Sequence, residues 1–204
     1  ETAEMPGFYK HGEYDLAGFA VGMVDKKNVI DGSKIKHGDL IIGLPSSGFH
    51  SNGYSLVRKV LTDNEIKKFG KELLMPTKIY VKEGLSAIRH LPYAICGICH
   101  ITGGGFYDNI ERIIPKDCKA VIHKNSWSVP EIFKIVQKKG KIADMEMYRT
   151  FNMGIGMVVI VRGPKTNVER ASALHQRQSE VQKILKDSVV IGEIVKGRRV
   201  VEII

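Results

Sequence analysis

Short apolar runs of strand length alternate in this chain with stretches whose apolar residues recur at helical spacing. The runs do not follow a strict β-α-β-α order, and the last two of them, 189–195 and 199–204, predict a terminal hairpin that turns at Gly197. An irregular order of strands and helices is typical of α+β layers. The sequence therefore predicts an α+β fold rather than a doubly wound parallel sheet.

Two segments carry specific predictions about packing. Residues 16–24 are apolar with glycines and predict a buried strand, followed by a turn at 25–28. Residues 77–90 have helical spacing, and Ile79, Val81, Leu85 and Ile88 are expected to face inward. A domain boundary is expected near residues 31–33.

Composition limits the classes of partner. With 204 residues, 43% apolar and 26% charged, the chain can bury a core of its own. Its apolar runs are too short to span a bilayer, so no membrane partner is expected. The net charge of +9 raises nucleic acid as a partner, but the basic residues are scattered and form no stripe. We expect no nucleic-acid partner, and a phosphate-bearing small substrate would benefit from the same positive field.

The three cysteines indicate a reducing compartment, which is expected to be the cytoplasm. Cys96, Cys99 and Cys118 fit no disulfide framework. Cys96 and Cys99 have the C-x-x-C spacing, yet they lie inside the apolar run 93–101, where they are expected to act as small hydrophobic residues. Metal or redox chemistry is the alternative, and a zinc site would need a second pair of ligands.

Two polar loops are candidates for ligand binding. In the first, Ser47, His50, Ser51 and Asn52 offer donors that suit a phosphate or an amide oxygen, or else they form a polar turn in which Ser51 or Asn52 caps the next helix. No G-x-S-x-G motif supports a nucleophilic serine.

The second loop contains Gly103, Gly104 and Gly105 between a predicted strand and a predicted helix. Backbone N–H groups there can approach an anion, and a helix N-terminus would add favourable potential. The alternative is a tight turn. His100, just before the glycines, can donate a hydrogen bond or shuttle a proton, although a lone histidine at a strand end is also commonly structural.

Further candidates are weaker. Asn152, with Gly154 and Gly156, forms a third polar corner or simply a glycine-rich bend. The carboxylates of Glu1, Glu4 and Asp15 could hold Mg²⁺ together with substrate phosphates, or they are ordinary surface acids.

Taken together, six stretches resemble the AIR synthetase (PurM) family, the phosphoribosylformylglycinamidine cyclo-ligases. They occur in family order and span nearly the whole chain: ETAEMPG (1–7), YDLAGFAVG (14–22), SSGFHSNGYSLVRK (46–59), PTKIYV (76–81), HITGGGFYDNIERIIP (100–115) and EMYRTFNMGIGM (146–157). The chain departs from the family at Met153, where many members have cysteine, which argues against thiol chemistry there.

The resemblance implies a PurM-like C-terminal domain, a mixed sheet with packed helices, over residues 33–204. Residues 1–32 would be the end of an N-terminal ATP-binding domain, whose last strand they contain. It also implies ATP and Mg²⁺ as cofactors and a homodimer formed through the N-terminal domain.

The implied reaction is the ATP-dependent cyclisation of formylglycinamidine ribonucleotide to aminoimidazole ribonucleotide through an iminophosphate. The catalytic residues would be His50 and His100, and Glu4 and Asp15 would bind the metal. Contacts to substrate or ATP would come from Glu1, Thr2, Glu4, Ser47, Ser51, Asn52, Thr102, Gly103, Gly104, Gly105 and Asn152. Two alternatives stay open: another ATP-dependent enzyme of the superfamily, similar to FGAM synthetase, or a non-catalytic fragment that binds only a ligand or a partner.

Overall fold

A computed structural model describes residues 7–14, 18–91, 95–163 and 178–204. Within these ranges, no helix has the length and apolar character that crossing a membrane requires.

One six-stranded mixed sheet organises the described chain. Its strands are β1 (Leu40–Pro45), β2 (Ile95–His100), β3 (Cys118–Ile122), β4 (Ile155–Val161), β5 (Val189–Lys196) and β6 (Val200–Ile203). They lie in the order β2-β4-β1-β5-β3-β6. The pair β3–β6 is parallel, and the other four neighbouring pairs are antiparallel.

Helices cover both faces of this sheet. They are α1 (Tyr54–Val60), α2 (Asp63–Lys68), α3 (Gly70–Leu73), α4 (Val81–His90), α5 (Gly105–Glu111), α6 (Glu131–Gly140) and α7 (Asp144–Thr150), with a 3-10 turn at Lys26–Asn28 and helical residues 178–184. The mixed sheet with packed helices confirms the α+β prediction.

The alternation of side chains along β1 produces two cores. Ile41 faces a large core that contains Phe49, Phe106 and Phe133. Its neighbours Leu40 and Ile42 face the opposite side, together with residues from α4 and 178–184. Successive side chains of a strand point to opposite faces, so a strand that is buried throughout must separate two apolar layers. This is why β1 reads as a continuous apolar run.

The predicted terminal hairpin is wrong. Strands β5 and β6 do follow each other along the chain, but β3 lies between them and pairs with both. The connection passes over the start of β3, where the N–H groups of Gly197 and Arg199 donate to the carbonyls of Asp117 and Lys116. Gly197 turns the chain as predicted, but it spans a strand instead of closing a hairpin.

The predicted orientation of residues 77–90 is also wrong. The helix forms as α4, but Ile79, Val81, Leu85 and Ile88 are exposed, and Ala87 is the helix residue buried against the sheet. Spacing identifies an apolar stripe on a helix, and it does not say which neighbour covers that stripe.

The N-terminal prediction fails for its described part as well. Residues 18–24 form neither a strand nor any other regular element, and their side chains are exposed. The turn predicted at 25–28 is present as the 3-10 turn.

Helix ends differ in detail from their sequence signals. Neither Ser51 nor Asn52 caps α1, because Gly53 occupies the cap position at φ 77° with no side-chain hydrogen bond to the helix. The polar segment after α1 contains a capping box between Thr62 and Glu65 that starts α2.

A buried carboxylate fixes the entry to β1. Asp39 is 1% exposed, and Arg162 Nη1 donates to its two oxygens at 2.9 and 3.0 Å. The N–H groups of Lys36 and Gly163 donate to it as well. Asp39 thus joins the chain before β1 to the chain after β4.

We expect Asp39→Ala to lower the free energy of unfolding by about 2–4 kcal/mol, because it leaves a guanidinium and two N–H groups without their acceptor. Lys134→Ala, which removes an exposed ion pair with Glu131, is the control and should change it by less than about 0.5 kcal/mol. Urea denaturation of both variants measures the difference, and equal effects would contradict the role given to Asp39.

Candidate functional site

Strand register brings the predicted loops to one end of the sheet. Pro45, at the end of β1, pairs with Ile155 at the start of β4, and His100, at the end of β2, pairs with Met157. Because β4 lies between β1 and β2 and is antiparallel to both, the loops that follow β1 and β2 leave the sheet at the same edge. The turn that enters β4 lies there too, so three separate stretches of sequence meet.

An apolar anchor holds the loop after β1. Phe49 is fully buried, with its ring centroid 4.4 Å from that of Phe133 and 5.0 Å from that of Phe151. Burying this ring fixes the middle of an otherwise polar loop. His50, the next residue, is thereby directed into the protein and is also buried.

Asn152 joins this loop to the turn before β4. Its Nδ2 donates to the carbonyl of Gly48 at 2.8 Å, and its Oδ1 accepts from the Ser46 hydroxyl and from the N–H of Gly154. The side chain is buried among these contacts. Asn152 therefore positions the loop, and direct contact between Asn152 and a ligand stays a prediction.

His50 is held in an unusual backbone conformation with a defined ring orientation. Its φ is 56°, in the left-handed region that few non-glycine residues adopt. Nε2 accepts from the N–H groups of Ser47 at 3.2 Å and Lys78 at 3.4 Å. An imidazole nitrogen that accepts carries no proton, so the neutral ring has its proton on Nδ1. That buried Nδ1 finds no hydrogen-bond partner among the described residues.

His100 and Tyr80 lie beside His50. The centroid of the His100 ring is 5.8 Å from that of His50, and the Tyr80 ring is about equally close to both, at 5.9 and 6.2 Å. The Tyr80 hydroxyl donates to the carbonyl of Pro45. Nε2 of His100 is a second buried nitrogen without a hydrogen-bond partner in the described part of the chain.

Both imidazoles are neutral at physiological pH. Burial, with smaller contributions from His100 and Lys78, lowers the pKa of His50 to about 4, and burial lowers the pKa of His100 below its ordinary value. Two neutral rings side by side can donate and accept hydrogen bonds or take up a proton, but they supply no positive charge.

Gly156 makes room for the rings of His50 and Tyr80. A Cβ there would lie 2.1 Å from the Tyr80 hydroxyl and 2.5 Å from Cε1 of His50. Both distances are well below any real contact, so the close approach of β4 to the two rings requires glycine.

Asn109 shapes the turn that contains the three glycines. Its Nδ2 donates to the carbonyls of Gly105 at 2.7 Å and Gly103 at 3.2 Å, and its Oδ1 accepts from the Thr102 hydroxyl. A buried amide thus holds the backbone carbonyls on the inner side of the turn.

The fold explains two of the three glycines. Gly104 and Gly105 have φ of 89° and 57°, and a Cβ on Gly105 would lie 2.0 Å from the carbonyl oxygen of Tyr148. A Cβ on Gly103 would meet only Oδ1 of Asn52, at 3.7 Å. The tight-turn interpretation therefore accounts for Gly104 and Gly105, while Gly103 is exposed with open space above it.

Three further predicted residues of the first loop, Ser47, Ser51 and Asn52, contact neighbouring segments. The Ser47 hydroxyl donates to the carbonyl of Pro76, and Ser51 shares a hydrogen bond with Thr77. Asn52 lies beside Gly103, so the two predicted loops touch. Since α5 has only seven residues, its dipole adds little to this site.

Glu1, Thr2, Glu4 and Asp15 lie outside the described residues. Among the residues that the structure describes, no group of three or more metal-ligating side chains is close enough to hold a metal ion.

The cysteines are placed as small hydrophobic residues. Cys96 and Cys99 lie on β2, and burial raises their pKa values to about 11 and about 12. Both are therefore protonated thiols at neutral pH, which disfavours metal or redox chemistry.

Three contributors were missed by the sequence reasoning. They are Tyr80, whose ring lies beside both histidines, Asn109, which holds the glycine turn, and Lys78, which donates its backbone N–H to His50. The one available signal was the polar Asn109 four residues after Gly105 in an otherwise apolar stripe. Tyr80 and Lys78 gave no signal of their own beyond their place in the stretch PTKIYV.

Known proteins resemble this chain in sequence. Residues 36–204 match the family model described as AIR synthase related protein, C-terminal domain. The phosphoribosylformylglycinamidine cyclo-ligase of Syntrophotalea carbinolica is 50% identical to this chain over 208 residues. The match covers 97% of this chain and 57% of that relative. The enzyme of the same name from Thermoanaerobacter pseudethanolicus is 53% identical, covering 97% and 59%. The chain thus spans about three fifths of the length of these relatives.

A solved structure shares the fold. Thiamine monophosphate kinase from Aquifex aeolicus superposes with a TM-score of 0.50 over 85% of this chain and 52% of that protein, at 13% identity. At this level of identity the likeness concerns the fold alone.

The glycines generate a paired prediction. Gly105→Ala should lower the free energy of unfolding by more than about 2 kcal/mol, because its Cβ collides with a backbone carbonyl. Gly103→Ala should change it by less than about 0.5 kcal/mol, because the space beside Gly103 is open. Urea denaturation of the two variants checks this, and similar losses in both would show that the turn is tight throughout.

The buried imidazole of His50 generates a prediction about pH. Its pKa is about 4 in the folded chain and near the ordinary 6.5 in the unfolded chain. Between these values the unfolded chain binds more protons, so the His50 contribution to stability is complete above pH 6.5 and is lost as the pH falls toward 4.

His50→Asn tests this prediction, since asparagine tolerates the left-handed backbone and does not titrate. From pH 7 to pH 4 the unsubstituted chain should lose about 1–3 kcal/mol more of its unfolding free energy than the variant does. Taking the difference cancels the titration of the histidines that do not contact His50. A gap that is independent of pH would contradict the neutral, buried state of His50.

Proposed function

Because the chain belongs to the AIR synthase related protein family, we propose that it provides part of the active site of a phosphoribosylformylglycinamidine cyclo-ligase. The observation that carries the proposal is the pair of neutral imidazoles, His50 and His100, each with a buried nitrogen that lacks a partner among the described residues. They lie where the two predicted loops meet. The relatives that carry this name support the reaction class.

The proposed reaction closes a ring in two steps. The formamide oxygen of formylglycinamidine ribonucleotide attacks the γ-phosphorus of ATP, and the bond from that phosphorus to ADP breaks. The formamide nitrogen loses its proton, which leaves an iminophosphate and ADP. The nitrogen attached to the ribose then attacks the former formyl carbon, the bond from that carbon to the phosphorylated oxygen breaks, and inorganic phosphate leaves. The attacking nitrogen loses a proton, and aminoimidazole ribonucleotide results.

The two imidazoles suit different tasks in this sequence. Nε2 of His50 already accepts two backbone N–H groups, so this ring can offer a ligand only its Nδ1–H. His50 is therefore proposed to donate a hydrogen bond to an oxygen of the substrate. His100 is the group left for moving a proton, and its lowered pKa keeps the ring neutral and able to take the proton that ring closure releases.

The glycine turn is proposed to contact a phosphate or the formamide. Gly103 is the glycine that the fold does not require, and a ligand can approach its backbone closely. Asn52 lies beside Gly103 and offers a side-chain amide, and Ser51, the residue before it, offers a hydroxyl, whereas the Thr102 hydroxyl already donates to Asn109 and can only accept from a ligand. The reaction needs positioned donors and charge stabilisation at the transferred phosphoryl group more than a covalent nucleophile.

Further parts of the proposal concern the whole enzyme. ATP and Mg²⁺ are its proposed cofactors, with Glu4 and Asp15 as metal ligands and Glu1 and Thr2 as ligand contacts. Residues 1–32 are proposed to belong with an N-terminal domain through which the enzyme forms a homodimer, and its location is proposed to be the cytoplasm. What supports these points is the membership in the family.

One alternative is disfavoured and one is kept. The relatives described above are named as cyclo-ligases, which disfavours an enzyme similar to FGAM synthetase. A fragment that binds ligand without turnover remains the alternative for this chain by itself, because it spans about three fifths of its relatives.

A chimera tests the proposal. The region of the Thermoanaerobacter pseudethanolicus cyclo-ligase that matches this chain is replaced by this chain, and ADP release is measured with ATP and formylglycinamidine ribonucleotide. We expect substrate-dependent ADP release. In this chimera His100→Ala should lower kcat by about 100-fold or more, the usual contribution of a proton-transfer group, with a smaller change in KM.

His37→Ala is the matched control, because His37 is an exposed histidine that precedes the start of β1, at the end of the sheet opposite Pro45. It should leave kcat unchanged. Unchanged turnover in His100→Ala would remove His100 from the mechanism. A folded chimera without substrate-dependent ADP release would contradict the cyclo-ligase activity itself.

A further inference from the structure

A third segment of the chain, residues 76–80, borders the two histidines beside the loop after β1. The backbone N–H of Lys78 donates to Nε2 of His50 at 3.4 Å. Two residues further on, the Tyr80 hydroxyl donates to the carbonyl of Pro45 at 2.8 Å. These hydrogen bonds hold the backbone at Lys78 against the site, so the side chain of Lys78 starts from a fixed point next to His50.

The ammonium group of Lys78 lies against the aromatic ring of Tyr80. Its Nζ is 5.3 Å from the centroid of that ring, within the range of a cation–π contact. The same ring lies beside His50 and His100. The charge of Lys78 also contributes to the low pKa of His50, which places the two groups within electrostatic reach of each other.

An ion pair with Glu83 leaves donors of this ammonium group available. Nζ of Lys78 is 3.7 Å from Oε1 of Glu83, which is longer than a hydrogen bond, and the two side chains are 32% and 30% exposed. An ammonium group has three N–H donors, and one carboxylate oxygen at this distance occupies none of them fully. The pair therefore orients Lys78 without satisfying it.

The proposed reaction needs a positive charge that the two histidines do not supply, because both rings are neutral. The phosphoryl group that passes from ATP to the formamide spreads its negative charge over three oxygens. Fixed positive groups beside such oxygens stabilise the transition state. The phosphoryl group is bonded to the formamide oxygen once it has been transferred, so it lies next to the substrate atoms that the histidines are proposed to act on.

We propose that the Lys78 ammonium group binds the phosphoryl group during its transfer and until it leaves as inorganic phosphate. The chemistry recognised is that of a phosphate oxyanion. The ribose 5′-phosphate of the substrate offers the same chemistry, but it is at the other end of the substrate from the formamide, whereas Lys78 is adjacent to His50. The inference rests on the proposed function for the identity of this phosphate, and the binding of a phosphate at Lys78 is testable by itself.

Inorganic phosphate is the probe for the first test, which involves no turnover. It is titrated into this chain at low ionic strength, and the imidazole NMR signals of His50 and His100 follow the binding. We expect a saturable shift of the His50 signals. In Lys78→Met the affinity should fall by at least about 10-fold, because a charge-assisted contact is lost. In Lys78→Arg, which keeps the charge, part of the affinity should remain.

Lys196→Met is the control for this titration. Lys196 is exposed and pairs with Cys118 at the end of β5, whereas the start of β5 pairs with Gly43 near the site. It should leave the affinity for phosphate unchanged. Both methionine variants should keep the unfolding midpoint of the chain, since neither lysine is buried. Absence of saturable binding, or equal affinity in Lys78→Met and the unsubstituted chain, would overturn the proposal.

The chimera distinguishes the two sources of phosphate. Lys78→Met should lower kcat by at least about 30-fold, with smaller changes in the KM values for ATP and substrate, because the charge acts on the group in transfer. The same fold-loss is expected with a substrate that lacks the ribose 5′-phosphate. If the loss disappears with that substrate, or if only the KM for the ribonucleotide rises, Lys78 binds the 5′-phosphate and the proposal is wrong.

The outcomes for Lys78 and for the proposed function are separable. An active chimera whose kcat is unchanged in Lys78→Met would overturn the role of Lys78 and leave the cyclo-ligase activity standing. A folded chimera without turnover would contradict the cyclo-ligase activity and, with it, the role of Lys78 in phosphoryl transfer. The titration with inorganic phosphate decides in either case whether a phosphate binds at Lys78.

Discussion

The pairing of β4 with both β1 and β2 is the constraint on which the site depends. β4 runs antiparallel to its two neighbours, so the end of β1, the end of β2 and the start of β4 meet at one edge of the sheet. Three loops that are about 50 residues apart along the sequence therefore become adjacent. A slip of one residue in β2 would move His100 to the other face of the sheet, away from His50.

Buried amides convert this meeting of loops into a fixed geometry. Asn152 holds the loop after β1 through Gly48 and Ser46, and Asn109 holds the glycine turn through its carbonyls. Neither side chain is exposed. Since a buried polar group is costly unless it is hydrogen-bonded, each amide rigidifies the loop whose backbone satisfies it. Asn152 and Asn109 thus shape the site from inside, whereas Gly103 is exposed at its surface.

The sequence predicted the parts of this structure that depend on local pattern. The strand within 93–101, the strands near 189–195 and 199–204, the helices after Asn52 and after the three glycines, and the two polar loops follow from apolar spacing and turn residues. The resemblance to a known family added the expectation that His50 and His100 act together as catalytic residues. Tyr80 and Asn109 were missed because their roles arise from long-range contacts, which a local pattern does not contain.

The failures share one physical cause. The apolar stripe of α4, the alternation in 18–24 and the turn at Gly197 are all real features of the local sequence. What the prediction got wrong in each case is the part of the structure that packs or pairs with them. For Gly197 the neighbour is β3, which enters between the two arms. No described residue covers the large apolar side chains of 18–24 or of the outer stripe of α4, which stay exposed. On α4 it is Ala87 that packs against the sheet.

An amphipathic pattern specifies that a face is to be covered and leaves open what covers it. Where a strong apolar pattern and full exposure conflict, the pattern alone therefore does not identify the neighbour.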